Sequence, residues 1–184
     1  MYRLAFLIIP LAASLTLFAE SDLEAKKDQV FDLIAQRLAY MEDVARYKVK
    51  NDLPIDDAKR EEIVVENAKS SASEVGLNPT SIEGFFKAQI AAAKAIQYRA
   101  RAQWIVKEAE IDEPTKDLDT EIRPALLILG EEIIDALKLY LELEIGFEDS
   151  LFSEFSKKVS NPHLSETHKR LLFKALQEVK LAEK

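Results

Sequence analysis

The chain has 184 residues, with 33 acidic side chains against 25 Lys and Arg, no cysteine, 4 glycines and a hydrophobic fraction of 48%. Four glycines cannot supply the turns of an all-β sandwich or barrel, and without thiols neither a disulfide scaffold nor a thiolate metal site can form. The formal charge of -8, with no basic run, speaks against a nucleic-acid or anionic-membrane partner, which leaves a single-domain, all-α helical bundle.

The N-terminal stretch MYRLAFLIIPLAASLTLFA places Arg3 before an apolar run from Leu4 to Leu17, broken only by Pro10 and followed by Glu20-Ser21-Asp22. This pattern predicts a secretory signal peptide over residues 1–19, cut near Ala19, and a periplasmic or secreted mature chain. The run is shorter than the ~20 residues of a spanning helix, so no membrane association is expected after cleavage. The remaining stretch, residues 20–184, is long enough to bury about 70% of its unfolded surface and needs no covalent staple.

Breakers mark off about six helices. The first runs from about Ser21 to Val49 and stops before Asn51-Asp52-Leu53-Pro54. The second starts at Asp56 or Asp57, either of which can cap it, and ends at Gly76. Asn78 caps a third, with Pro79 in the favoured first position, running through Trp104 to about Glu108. Ile111 to Leu118 form a connector around Pro114, and a fourth helix from Asp119 or Thr120 accepts Pro124 in its first turn and reaches about Glu144. Shorter helices cover Glu148 to Val159 and Ser165 to Ala182, separated by Asn161-Pro162.

Helical spacing puts polar residues on faces that should be buried. Val30, Ile34, Arg37, Met41, Val44 and Lys48 trace one seam of the first helix. Buried cations need anionic company. The competing expectation is that both snorkel, or that Lys48 complements the negative end of its helix. Phe86, Ile90, Ala93, Gln97, Ala100 and Trp104 form a seam of the third helix with an amide in its middle, which is either a ligand contact or a structural bond across the bundle. Trp104 reads as core. Asp57, Arg60, Glu61 and Val64 share a face at the start of the second helix, where the acids also suit the macrodipole and Arg60 could pair with Asp57 at the surface. Arg123, a cation in a first helical turn, either is solvated or has an anion beside it.

Other chemistries find little support. His163 and His168 lie five residues apart without the carboxylate pattern of a metal site and read as surface residues, not metal ligands. There is no phosphate loop or nucleophile elbow, and no cofactor is implied. The acids from Glu131 to Glu148 read as a solvated face.

Taken together, AQRLAYMEDVARYKVKNDLPIDDAKREE, GLNP, FFKAQIAAAKAIQYRARAQW and DLDTEIRP resemble the all-helical (type II) chorismate mutases, most of all the secreted single-domain subclass. The likeness spans about Val30 to Leu137. An Arg, a Lys eleven residues later and an Arg twelve further on, followed by a helix carrying Gln, is its specific part. The resemblance implies rearrangement of chorismate to prephenate, an isomerase reaction without a metal or redox cofactor. It implies that Arg37 and Arg123 grip the substrate carboxylates and that Lys48 and Gln97 meet the ether oxygen. Arg60 falls on the second-helix arginine, and Asp57 and Glu61 approach the ring hydroxyl. Ala93 stands where several relatives carry a hydroxyl, and Val64 where some carry a polar side chain; both line the pocket. Secreted relatives are commonly dimers, and Phe147, Leu151, Phe152 and Phe155 could supply a homodimer interface or part of the core. The alternative function is a non-catalytic exported bundle that binds an anionic small molecule or a protein.

Overall fold

The computed structural model describes residues 12–106 and 114–183, with side chains from Ser21 onward. Residues 1–11 of the expected signal peptide lie outside the described residues, while the backbone of 12–20 already belongs to the first helix. Seven α-helices follow: α1 Ala12–Ala39, α2 Met41–Lys50, α3 Ala58–Val75, α4 Pro79–Val106, α5 Arg123–Leu141, α6 Phe152–Lys158 and α7 Glu166–Gln177. A π-helical turn, Leu118–Ile122, leads into α5, and a 3-10 turn, Asp149–Leu151, leads into α6. The all-α class expected from composition is what the chain adopts.

The helix ends follow local chemistry. Asp57 caps α3 by accepting the Arg60 amide at 3.1 Å. Gly76, at φ +82, closes the same helix in the left-handed conformation that a side chain resists, and the Leu77 amide returns to the Ala72 carbonyl at 2.8 Å. Asn78 accepts the Ser81 amide at 3.0 Å to start α4. Asp117 accepts the amides of Asp119 and Thr120 at 3.0 and 2.8 Å, so helical structure begins at Leu118, just before the expected start.

Three expectations are corrected. The single helix from Ser21 to Val49 is interrupted at Tyr40, so α1 and α2 are segments of one rod and the bundle has six rods. The fourth helix ends at Leu141, with Glu144 at φ +60 in the turn beyond. The last helix stops at Gln177 and does not reach Ala182. Residues beyond it pair instead with the α3–α4 turn: Asn78 donates to the Lys180 carbonyl at 2.8 Å, Ala182 donates to that of Gly76 at 2.9 Å, and Leu77 bridges antiparallel to Leu181. Those backbone groups are satisfied by a partner distant in sequence, which no local pattern announces.

Helix α4 is central, packed against α2, α3 and α7, while α1 lies along α5 and touches α6. At the α6–α7 end the core is aromatic. Phe31 meets Phe155 edge-on at 5.2 Å, Phe155 lies 5.1 Å from Phe173, and Tyr140 stacks on Phe147 at 4.3 Å. Phe147 and Phe155 are buried there, with Leu151 and Phe152 packed against them, so core packing accounts for that cluster. Trp104 is buried, as expected, in a satellite cluster with Ala45 and Ala100, and the Arg46 guanidinium sits over its ring at 5.2 Å.

Candidate active site

The rod formed by α1 and α2, together with α3, α4 and α5, encloses one cavity. Arg37, Lys48, Asp57, Arg60, Glu61, Val64, Ala93, Gln97 and Arg123 all line it. Five segments of the chain therefore bring every sequence-derived candidate to one place. Helix period explains the convergence: Val30, Ile34, Arg37, Met41, Val44 and Lys48 are all buried, so the seam carries its two cations inward.

Arg37 is 8% exposed, which removes the snorkelling alternative. Its Nη1 donates to the Leu126 carbonyl at 3.4 Å and its guanidinium lies over the Phe86 ring at 5.8 Å. Among the described residues no carboxylate pairs with it. Burial, with help from the nearby Arg60 charge, pulls its pKa down to about 10. Lys48 is 7% exposed, and its Nζ donates to the Ile55 carbonyl at 2.6 Å. Burial lowers its pKa below the usual lysine range, the Asp57 carboxylate opposing and the Arg123 charge assisting. Taking a cation out of water costs several kcal/mol unless it is well compensated, so two buried cations in one cavity without an ion pair among the described residues are an unusual arrangement for packing alone.

The remaining groups complete a polar frame. Gln97 is 5% exposed, has only a 3.7 Å contact from Nε2 to the Met41 sulfur, and leaves Oε1 without a protein partner. Arg123 lies 3.6 Å from Asp57 and also pairs with Asp119, which supplies the anion its helical position calls for. The surface pair expected between Arg60 and Asp57 is absent because Asp57 is turned to Arg123. Arg60 has no carboxylate partner among the described residues. Glu61 is held by Lys94 at 3.2 Å, and Lys94 also reaches Asp56 at 3.0 Å. Val64 and Ala93 add apolar wall.

Among the cavity residues that the sequence does not single out are Asn67, Ser71, Glu131, Lys94 and Gln89. Lys94 sits on a half-buried face, and its ties to Asp56 and Glu61 come from another helix, so nothing local marks it. Gln89, which is 1% exposed, did leave a signal, since Gln89, Ala93 and Gln97 recur every four residues. His163 and His168 are half-buried instead of exposed. The His168 Nδ1 lies 2.7 Å from the Ser165 hydroxyl that caps α7, and neither ring lines the cavity. Outside the cavity, the carboxylates of Glu24, Asp28 and Glu154 lie close enough to share an ion, but Lys27 and Lys158 already sit among them.

Fold and site together define an all-helical protein whose cavity gathers the cations Arg37, Lys48, Arg60 and Arg123 and the amides of Gln89 and Gln97, although the chain as a whole is acidic. Residues 24–98 match the chorismate mutase type II family. The chain is 36% identical over 155 residues to the secreted chorismate mutase of Yersinia pestis, covering 83% of this chain and 81% of that protein. It is 33% identical to the monofunctional chorismate mutase of Enterobacter agglomerans, covering 88% of each. The crystal structure of the Yersinia pestis protein superposes with a TM-score of 0.76 over 83% of this chain and 97% of that one. The chain belongs to the chorismate mutase type II family.

Proposed function

We propose that the cavity binds chorismate and rearranges it to prephenate, with Arg37 and Arg123 holding the two carboxylates and Lys48 and Gln97 donating to the ether oxygen. The observation that carries this reading is the presence of two buried cations, Arg37 and Lys48, unpaired with any carboxylate among the described residues, beside a half-free amide in one cavity of an acidic family member.

The reaction is an intramolecular pericyclic shift. One carbon–oxygen bond breaks as a carbon–carbon bond forms, and no atom is gained or lost. Nothing must attack the substrate, so the protein acts through geometry and charge. Arginines at the ends and apolar walls at Val64 and Ala93 favour the compact conformer in which the reacting carbons meet. Negative charge grows on the ether oxygen as its bond lengthens, and donors already aimed at that point stabilise the transition state without reorganising. Lys48 supplies a full charge there and Gln97 a neutral N–H. Arg60 adds positive potential beside Arg37, and Asp57 and Glu61 offer acceptors for the ring hydroxyl.

The reading extends to export. Relatives bear the name secreted chorismate mutase, and the segment from Arg3 to Ala19 has the order of a signal peptide. Among the described residues no helix is long and apolar enough to cross a membrane. N-terminal sequencing of the exported protein should give Glu20 first. The homodimer implied by the secreted relatives belongs to the same reading and is tested by light scattering.

The activity itself is tested by incubating the chain from Glu20 onward with chorismate and following substrate loss and prephenate formation, with Lys48→Ala as control. Conversion that collapses in the control is the expected result. A folded helical protein that leaves chorismate at its uncatalysed rate overturns the assignment and favours the non-catalytic anion binder.

A further inference from the structure

Gln89 has both polar atoms of its side chain, Oε1 and Nε2, buried without a protein partner. It is 1% exposed and lines the same cavity as Arg37. Buried amides in native proteins are almost always bonded, so an amide with two orphaned atoms on a side chain that lines a cavity is placed for something that enters it. Its position says what that is. Gln89 stands one turn beyond Phe86 on α4, and the Arg37 guanidinium lies over the Phe86 ring. It is one turn before Ala93 and two before Gln97, so Gln89 and Gln97 bracket an apolar gap on one helical row. Arg37 occupies the Phe86 end of the cavity, unpaired with any carboxylate, whereas Lys48 occupies the end near Ile55 and Asp57.

We propose that Gln89 is a further substrate-binding residue, its Nε2 donating to the carboxylate that Arg37 holds. The inference rests on the assignment of chorismate as substrate. A guanidinium supplies charge and a planar pair of donors to one edge of a carboxylate, and a neutral amide can fill a remaining lone-pair direction without adding charge to a site that already contains Arg60. The carboxylate does not change its charge during the rearrangement. Gln89 therefore strengthens substrate and transition state alike, and its loss is read in KM, not in kcat.

The test compares the parent with Gln89→Met and Gln89→Glu by steady-state kinetics on chorismate and by thermal melting. Met keeps the length of the side chain and removes its amide. It should raise KM about tenfold or more, the scale of one hydrogen bond to a charged group, while kcat stays within about twofold. Its melting temperature should stay level or rise, since an orphaned buried amide is gone. Glu should raise KM further at neutral pH, by setting an anion beside the substrate's, and recover part of the loss toward acid pH. A merely structural glutamine predicts the reverse for Met, with a lower melting temperature and KM unchanged. If the parent is active and Gln89→Met leaves KM where it was, the inference fails alone. If the parent does not convert chorismate, the assignment fails and takes the inference with it. Should Gln89→Met not fold, the Gln89→Glu profile decides: a KM equal to the parent's at every pH overturns the proposal.

Discussion

The two ends of the bundle solve the burial problem in opposite ways. Around α6 and α7, Phe31, Tyr140, Phe147, Phe155 and Phe173 interlock, and the buried cations there, Lys27 and Lys169, are met by the carboxylates of Glu154 and Glu166. Around α3 and α4, the bundle buries Arg37, Lys48, Gln89 and Gln97, with neither cation in an ion pair among the described residues and amide atoms left open. The first region stores stability and the second spends it on a site. A bundle of this size tolerates the second only because the first exists.

That contrast is broken most severely by Phe155→Ala. Removing a fully buried ring from the aromatic end should cost about 3–5 kcal/mol of stability, read by denaturant unfolding, while kcat below the melting transition stays near the parent's. A matching loss of kcat would mean that the two ends are not separable.

Lys48→Ala is the mirror image. Loss of one preorganised donor should raise the barrier by about 2.7–4 kcal/mol, a hundredfold or more in turnover, with stability unchanged or improved because a buried cation has gone. A marked fall in melting temperature would recast Lys48 as a structural tie to Ile55.

Gln97→Glu sharpens the comparison within the cavity. An amide donates at any ordinary pH, whereas a carboxyl must first be protonated, so the pH–rate profile of the variant should shift to acid while the parent stays active through neutrality. Profiles that superimpose would remove Gln97 from the ether oxygen.

The smallest effect concerns pH alone. Lys48 and Arg37 both titrate below their ordinary ranges, Arg37 at about 10. For depressed cations the unfolded chain holds more protons between the folded and ordinary values, so these two groups make stability rise with pH through that window. Anion binding runs the other way, because it needs the protonated forms. Thus kcat/KM should fall on the alkaline side as Lys48 and Arg37 lose their protons, Arg37 near pH 10, and binding of prephenate there should take up protons, measurable by calorimetry in buffers of different ionisation enthalpy. No proton uptake would show that the two cations are already stabilised by other means.

The seams of the first and third predicted helices make most of the candidate site legible in the sequence, because a 3.6-residue period assigns Arg37, Lys48 and Gln97 to buried faces whatever the tertiary arrangement. Gln89 is not singled out by the sequence, because Ile90 fits the same stripe from Phe86 and is apolar; period alone does not separate neighbours at the edge of a stripe. The break at Tyr40 carries no glycine or proline, so it left no local mark. The turn of Arg123 to Asp57, in place of an Arg60–Asp57 pair, and the hold of Lys94 on Glu61 join residues from different helices, and spacing within one helix is silent about both.

The antiparallel bridge between Leu77 and Leu181 has a temporal meaning. The hairpin of α3 and α4 supplies much of the cavity wall, yet its turn is fastened by residues synthesised far later. A nascent chain cannot close that clasp until Leu181 has emerged, and contacts so distant in sequence form slowly. An exported chain, if it travels before Leu181 emerges, would carry the α3–α4 turn unfastened until the end of its journey.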